Sequence, residues 1–303
     1  MKIAIMGAGA VGSYYGAIFK KYGFDVTLIT RGKHYEQINK NGLNVKSFWG
    51  DFNLKIPCFN NVENLKSFDL IFLTTKLYSN NQSIRDLKKI SNSETIIITI
   101  QNGVSSHSEI YKEIESKNII PAATYIEAEI PTPGVVLQKG STVIIEMGEL
   151  NGEISKRIKE IKNIFSVKEL TINISKNILS TLWKKMIIVG SFGTIMSSFR
   201  LSFLELINSN YGEDILLETM KEILSVGIAD GIDLSGVDIN QNILDLKKDP
   251  ESMTSSMQND LNSGKPLEID KILGYVVKLS KKYNIPTPYS TTLVASLDKF
   301  KKG

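Results

Sequence analysis

The sequence contains few of the residues that build disulfide frameworks and metal sites. Its one cysteine, Cys58, excludes an intramolecular disulfide, and its two histidines, His34 and His107, do not have the spacing of metal ligands. The sequence also lacks a long basic run, an apolar run long enough to span a bilayer, and a signal peptide, because a strand-like segment stands at its start. We therefore expect no metal, no membrane or nucleic-acid partner, and a cytoplasmic location.

The remaining composition is that of an ordinary globular protein, with 42% hydrophobic and 22% charged residues. The formal net charge of +4 comes from lysines scattered along the whole length, which indicates a solvated surface. A chain of 303 residues exceeds the usual size of a single hydrophobic core. The length therefore predicts two domains.

The N-terminal residues have the pattern of a strand, a glycine turn, a helix and a second strand. These segments lie at residues 2–6, 7–12, 13–21 and 24–29. In such a dinucleotide-binding unit Gly7 makes the tight turn, Gly9 lets the backbone approach a pyrophosphate, and Gly12 lets the helix pack closely on the strand. The predicted cofactor-binding residues of the turn are Gly7, Gly9, Ala10, Val11 and Gly12.

The end of the second strand lacks the acidic residue that NAD-binding proteins carry there for the ribose 2′-hydroxyl. The sequence instead reads Thr30-Arg31-Gly32-Lys33. An acid would repel a 2′-phosphate, whereas the Arg31 guanidinium can donate two hydrogen bonds to it and Lys33 can add charge. The pattern favours NADP over NAD, and the alternative is a solvated basic turn.

Two later strands end in polar residues. Residues 69–76 form an apolar run that ends at Lys76, and residues 94–100 form a β-branched run that is followed by Asn102. The carboxyl ends of parallel strands open on the cofactor crevice, so Lys76 and Asn102 are candidates for contact with cofactor or substrate. The alternatives are a surface lysine and an ordinary Asn-Gly turn.

Alternating strands and helices up to residue 174 predict a doubly wound α/β domain. We expect further helices at residues 34–41, 105–116 and 152–165. We expect further strands at residues 43–48, 52–56, 119–130, 134–137, 142–146 and 169–174. The predicted fold class is thus α/β, with a Rossmann-type doubly wound domain at residues 1–174 and an all-α domain at residues 175–303.

The second domain opens with a predicted helix at residues 177–199, and another is expected at residues 271–283. The first of these contains Lys184 and Lys185, although lysine is costly to bury without a purpose. Neighbouring residues lie about 100° apart around a helix, so at most one of the two lysines points into a cleft.

Motifs in a fixed order run through nearly the whole chain. They are GAGAVGSYYG at 7–16, Arg31, TTK ending at Lys76, QNG at 101–103, LWKK at 182–185, SSM at 255–257 and LEID at 267–270. In these motifs the chain resembles the ketopantoate reductase family of NADPH-dependent 2-dehydropantoate 2-reductases. Together they are far more specific than the glycine turn alone.

The resemblance implies a helical second domain, an active site in the cleft between the domains, and a small 2-oxo acid as substrate. It implies that Lys185, not Lys184, is the catalytic lysine and that Glu268 is the active-site acid. The implied substrate-binding residues are Asn102, Ser256 and Lys76, of which Lys76 and Asn102 also lie near the cofactor. A homodimer is one option for the assembly.

The implied reaction is hydride transfer from NADPH to the carbonyl carbon of a 2-oxo acid. The Lys185 ammonium would stabilise the developing charge on the oxygen and deliver the proton. Glu268 would hold Lys185 in place or bind the substrate hydroxyl, and Ser256 would bind the carboxylate.

One departure from the family concerns the substrate. Its best-known members carry asparagines four and eight residues after the catalytic lysine, where this chain has Val189 and Gly193. Losing two polar contacts should weaken recognition of a hydroxylated substrate. The alternatives to ketopantoate reduction are therefore a paralogue that reduces another 2-oxo acid, and a non-catalytic NADPH-binding sensor.

Overall fold

The computed structural model describes residues 1–114 and 118–303. The chain divides into two units by its internal contacts. The first contains residues 1–101 and 105–178, and the second contains residues 102–104 and 179–303. A domain boundary after residue 174 stays a prediction.

The first unit is built on a mixed sheet. Its strands are β1 (Lys2–Met6), β2 (Asp25–Ile29), β3 (Leu43–Ser47), β4 (Phe52–Leu54), β5 (Cys58–Phe59), β6 (Leu70–Leu73), β7 (Ile96–Thr99), β8 (Ile119–Glu129), β9 (Val135–Met147) and β10 (Thr171–Ile174). Their order is β4-β3-β9-β8-β7-β6-β1-β2-β5, with β10 beside β9. The central strands β2, β1, β6, β7 and β8 run parallel, so their carboxyl ends meet at one edge of the sheet.

Helices cover both faces of this sheet. They are α1 (Ala10–Lys21), α2 (Gly32–Asn41), α3 (Asn80–Ile90), α4 (Ser106–Ile114) and α5 (Lys156–Phe165). On one face the Phe19 ring packs against Phe72 and Phe165, with ring centroids 5.0 and 4.6 Å away. On the other face Ile84 and Leu87 of α3 join a second buried cluster. The Rossmann-type fold of the first domain is confirmed.

The structure corrects the prediction for the hairpin of β8 and β9. Residues 134–137 and 142–146 were expected to be separate strands, but β9 is continuous and antiparallel to β8. The polar residues between them fit in the strand because Gly140 adopts a φ of +68° and the pairing register shifts at Ile126. Lys139 is also paired across the hairpin with Glu129, at 3.2 Å.

Other predicted bounds differ at their ends. The strand expected at residues 69–76 is regular only from Leu70 to Leu73, so Lys76 lies in the loop that follows it. The sequence patterns did not single out α3 or the two-residue strand β5. The helix expected at residues 105–116 is α4, and the last two residues of that prediction, 115 and 116, lie outside the described residues.

The second unit is helical, as predicted. Its helices are α6 (Ile178–Phe199), α7 (Phe203–Ile207), α8 (Gly212–Ala229), α9 (Ile239–Leu246), α10 (Ser256–Asn262), α11 (Leu273–Tyr283) and α12 (Pro288–Leu297). The central helix α8 packs against α7, α9, α11 and α12. It also meets α6 closely, because a Cβ at Gly227 would lie 2.8 Å from the Trp183 ring.

The expectation that the chain has no apolar run of membrane-spanning length is wrong for α6. By length and composition this helix passes for a membrane span, the one such helix among the described residues. However, 72% of its most apolar window is buried inside the protein. A core helix that packs on several sides carries apolar residues on most faces, and α6 is therefore accounted for as a core helix.

Candidate active site

The glycine turn between β1 and α1 is held by backbone hydrogen bonds. The N–H groups of Gly7 and Ala8 both donate to the Ile29 carbonyl of β2, at 3.0 and 2.9 Å. Gly7 adopts a φ of +96°, and a Cβ there would lie 2.6 Å from the Thr75 nitrogen, so no other residue fits without strain. The Thr74 hydroxyl secures the turn by donating to the Gly7 carbonyl at 2.7 Å.

Gly9 and Gly12 have different surroundings. A Cβ at Gly12 would lie 2.9 Å from the Ile5 side chain of β1, so α1 sits too close to β1 for a side chain. A Cβ at Gly9 would meet only the Gly7 oxygen within 4 Å in the described part of the chain, at 3.8 Å. This open space adjoins the first turn of α1, which carries no acidic residue and whose N–H groups lack intrahelical acceptors. Such a helix N-terminus favours an anion, so the turn fits the phosphates of a dinucleotide.

Arg31 lies two positions after the last residue of β2, close behind the strand as the sequence predicted, and its side chain is 68% exposed. The first turn of α2, which follows it, contains no acidic residue. An acid does reach this corner from elsewhere, because the Asp86 carboxylate of α3 lies 3.4 Å from the Arg31 guanidinium. The sequence could not reveal this pair, since its members are separated by 55 positions.

His34 links α2 to the glycine turn. The Gly134 N–H donates to its Nδ1 at 2.9 Å, so the proton of the neutral ring is on Nε2, which donates to the Ser13 hydroxyl at 3.0 Å. The Ser13 hydroxyl in turn donates to the Ala8 carbonyl at 3.0 Å. Burial lowers the pKa of His34, which keeps the ring neutral. The segment that carries Arg31 is thus tied to the turn by a buried chain of hydrogen bonds.

A buried glutamine joins the ends of β6 and β7. The Gln101 amide donates to the Thr75 carbonyl and to the Asn80 side chain, each at 2.7 Å, and its oxygen accepts from Thr99 at 3.2 Å. The Thr75 carbonyl belongs to the peptide that leads into Lys76, a half-buried residue that precedes a short 3-10 helix. Gln101 therefore fixes the backbone on which Lys76 is carried. Gln101 belongs to the QNG motif at 101–103, but the sequence pattern gave no sign of this structural role.

The second unit brings three of the predicted residues together. The Lys185 ammonium of α6 donates to the Asn102 side-chain oxygen at 3.0 Å. Burial lowers the pKa of Lys185 to about 8, while the negative charge of the buried Glu268 acts in the opposite direction and raises it. An ammonium with this pKa is protonated at neutral pH and gives up its proton more easily than an exposed lysine.

Lys184 has a different environment. Its side chain is exposed, whereas Lys185 is half-buried and holds Asn102. The charge of Lys184 acts on the exposed Asp233, whose pKa is lowered mainly by hydrogen bonds from Ser235. Of the two neighbouring lysines, Lys185 is therefore the one with the surroundings of a proton donor.

The face of α6 that follows Lys185 is apolar. Val189 is half-buried, and Gly193 is buried under the Ser255 side chain, which a Cβ at Gly193 would approach to 3.1 Å. The Ser255 hydroxyl donates to the Gly193 carbonyl at 3.2 Å and caps α10 by accepting from a backbone N–H. Ser256, the predicted substrate-binding serine, is exposed in the first turn of α10. Its role stays a prediction.

Comparison with known proteins agrees with this geometry. The family model described as "Ketopantoate reductase PanE/ApbA" matches residues 3–152, and its C-terminal counterpart, "Ketopantoate reductase PanE/ApbA C terminal", matches residues 177–301. The chain belongs to the ketopantoate reductase family. It is 31% identical to a 2-dehydropantoate 2-reductase from Pyrococcus horikoshii over 297 residues, which cover 97% of this chain and 96% of the relative.

Solved structures similar to this chain include proteins that are named for different substrates. A PanE/ApbA family ketopantoate reductase from Ralstonia eutropha matches with a TM-score of 0.92 and 25% identity, over 99% of this chain and 98% of that one. A D-mandelate dehydrogenase in ternary complex with NADH and anilino(oxo)acetate matches with a TM-score of 0.91, 25% identity and the same coverage. Membership in the ketopantoate reductase family therefore leaves both the 2-oxo acid and the choice between NADH and NADPH open.

Proposed function

We propose that this protein is an NADPH-dependent reductase of a 2-oxo acid, with 2-dehydropantoate as the first substrate to test. The observation that carries the proposal is the Lys185 ammonium, which is held by Asn102 at 3.0 Å and has a pKa of about 8. A half-buried lysine with a lowered pKa is suited to donate a proton to a developing alkoxide. The family relationship supports an oxidoreductase reaction in which such a donor is needed.

The residues of the first unit fit the cofactor. The glycine turn and the first turn of α1 would hold the pyrophosphate, through the open space at Gly9. Arg31 would donate to the 2′-phosphate of NADPH, and Lys76 would contact the cofactor nearer the substrate, as would Asn102 of the second unit. The bound nicotinamide supplies the hydride.

The residues of the second unit would act on the substrate. Lys185 donates a hydrogen bond to the carbonyl oxygen, stabilises the negative charge that develops there and delivers the proton. Asn102 accepts from Lys185 and so orients the ammonium. Glu268 keeps the ammonium protonated through its charge, and Ser256 binds the carboxylate.

The test is NADPH oxidation by the purified protein with a panel of 2-oxo acids that includes ketopantoate. Turnover with any member supports the reductase, and the ratio of kcat/KM values identifies the preferred substrate. Binding of NADPH without turnover of any member would favour the non-catalytic sensor. The presence of both Lys185 and Glu268 speaks against a sensor, because cofactor binding alone needs neither of them.

A second candidate is a paralogue that reduces a more apolar 2-oxo acid. Val189 and Gly193 offer no hydrogen bond to a substrate hydroxyl, and Ser255 covers Gly193. A structural relative, the D-mandelate dehydrogenase, is bound to anilino(oxo)acetate, which carries an aromatic group. A higher kcat/KM for phenylglyoxylate than for ketopantoate would decide for this candidate.

The remaining partners are part of the same proposal. The reaction needs a small-molecule substrate and NADP, and it needs no metal, nucleic acid or membrane. We place the protein in the cytoplasm, where NADPH is available, and keep a homodimer as the assembly to test by light scattering.

A further inference from the structure

Arg31 and Asp86 form an ion pair in the first unit, and the two side chains differ in their exposure to solvent. The Arg31 side chain is 68% exposed, whereas the side chain of Asp86 is only 10% exposed. One guanidinium nitrogen of Arg31 lies 3.4 Å from the Asp86 Oδ2 atom. The arginine can therefore move while the aspartate stays in place.

The Asp86 carboxylate is fixed from its own helix. The Gln82 amide, one turn earlier on α3, donates to Asp86 Oδ1 at 2.8 Å. The carboxylate thus keeps its second oxygen directed at Arg31. A nearly buried carboxylate that loses its cation is left with an uncompensated charge, so separation of the pair is unfavourable.

From this geometry we infer that Asp86 is a specificity-determining residue that competes with the 2′-phosphate of NADPH for Arg31. The inference rests on the proposed function, in which Arg31 binds that phosphate. If Arg31 turns to the phosphate it leaves Asp86, and if it stays with Asp86 it contributes less to the phosphate. NADH has no 2′-phosphate, so its binding neither draws Arg31 away from Asp86 nor depends on a contact between Arg31 and a phosphate. Asp86 therefore narrows the difference in affinity between the two cofactors, and the protein retains use of NADH.

The test is direct binding of NADPH and NADH, measured by titration calorimetry for the wild-type protein and for Asp86→Asn. Asparagine keeps the size of the side chain and the acceptor for Gln82 but removes the charge. We expect the ratio of the NADH Kd to the NADPH Kd to rise about fivefold or more, the order of a charge interaction in a partly solvated site. A ratio that is unchanged or lower would overturn the inference. Asp86→Ser serves as a second neutral variant.

Two controls identify the mechanism. Glu169→Gln removes another nearly buried acid of the first unit, which is paired with Lys21 at 2.7 Å, and should leave the ratio unchanged. In an Arg31→Ala background, Asp86→Asn should change the ratio less than about twofold, because the competitor has been removed. If Asp86→Asn changed the ratio of Kd values as much in that background as in the wild type, Asp86 would act by direct repulsion of the phosphate. That result would overturn the inference that Asp86 competes for Arg31.

The outcomes also separate this inference from the proposed function. A wild-type protein that binds neither cofactor would overturn both. A wild-type protein that binds NADPH, together with an unchanged ratio in both neutral variants, would overturn the role of Asp86 alone.

Discussion

Lys185 shows how the surroundings of one side chain set its chemistry. An exposed lysine holds its proton too tightly to be an efficient acid near neutral pH. Burial lowers the pKa of Lys185 to about 8, and the charge of Glu268 limits that decrease. The ammonium form therefore predominates at pH 7 and is lost as the pH rises through about 8. Reduction, which needs the protonated form, should lose rate over the same range.

The first prediction concerns Glu268→Gln. Because Glu268 raises the pKa of Lys185, its neutral replacement should lower that pKa and move the alkaline limb of the kcat profile to lower pH. The measurement is kcat for reduction between about pH 6 and 10, the range around the pKa of Lys185. An alkaline limb that moves to higher pH, or stays in place, would contradict the role of Glu268.

The second prediction compares the two neighbouring lysines. Lys185→Ala should reduce turnover by roughly 10²-fold or more, the usual loss for a general acid, with NADPH binding nearly unchanged. Lys184→Ala is the matched control, since that side chain is exposed, and it should retain near-normal turnover. If Lys184→Ala were the inactive variant, the assignment of the proton donor would be wrong.

Among the helices, α6 is a core helix that also carries the proposed proton donor, Lys185. It presents Lys185, then Val189, then Gly193 at intervals of four residues, so the three lie along one face. Ser255 of the α10 cap is seated on the last of these. The apolar character of this face therefore depends on the contact between α6 and the start of α10, in addition to the residues of α6.

The third prediction concerns an asparagine on this face. Val189→Asn should raise kcat/KM for ketopantoate by a few-fold, because a hydrogen bond to the substrate contributes about 0.5–1.5 kcal/mol.

Gly193→Asn should instead lower the free energy of unfolding by about 1–2 kcal/mol, because its side chain must displace the Ser255 cap. Kinetics and thermal unfolding of both variants provide the measurement.

A double variant checks the physical reason. Ser255→Gly removes the side chain with which the Gly193→Asn side chain would collide. The loss in free energy of unfolding caused by Ser255→Gly should therefore be smaller in the Gly193→Asn background than in the wild type. Equal costs in the two backgrounds would show that the predicted collision is absent.

Efficient ketopantoate reduction by the unmodified protein would remove the case for an altered substrate.

An ion pair between the segment after β9 and helix α5 contributes to the stability of the first unit. The Arg157 guanidinium donates twice to Glu149, at 2.6 and 2.7 Å, and Ser155 donates to the same carboxylate at 2.6 Å. Burial alone would raise the pKa of Glu149, but these hydrogen bonds outweigh it and leave the pKa lowered. The pair therefore stabilises the folded state above the ordinary pKa of a glutamate, and this contribution is lost as the pH falls through the lowered value.

The fourth prediction follows from that sign. Glu149→Gln should lower the free energy of unfolding by about 2 kcal/mol at pH 7, and the difference from wild type should shrink as the pH falls below about 4. Thermal unfolding at several pH values tests it. Glu160→Gln, which removes an exposed pair with Lys156, is the control and should change stability by less than about 0.5 kcal/mol. A difference that grows in acid would contradict the assignment.

Local patterns were sufficient for much of the architecture. Glycine positions, β-branched runs and helical periodicity predicted the first βαβ unit, the strands that end near Lys76 and Asn102, and the helical second unit. They failed at β9, where polar residues lie inside a strand, because the cross-strand ion pair with Glu129 and the register shift near Gly140 are tertiary features. They also overlooked α3, whose polar composition hides a buried stripe that includes Ile84 and Leu87.

The dinucleotide turn, the absence of an acid just after β2, and the presence of Lys185 and Glu268 can all be read from the sequence without the fold. These depend on residue type and on spacing within one element or its neighbour, which the sequence records. The folded chain was needed to show that Asp86 reaches Arg31, that His34 is tied to Ala8 through Ser13, and that Asn102 holds Lys185, 83 positions away. Contacts between distant segments arise from packing of the elements. The pKa of Lys185 depends on those contacts, since desolvation and the charge of Glu268 exist only once the chain is folded.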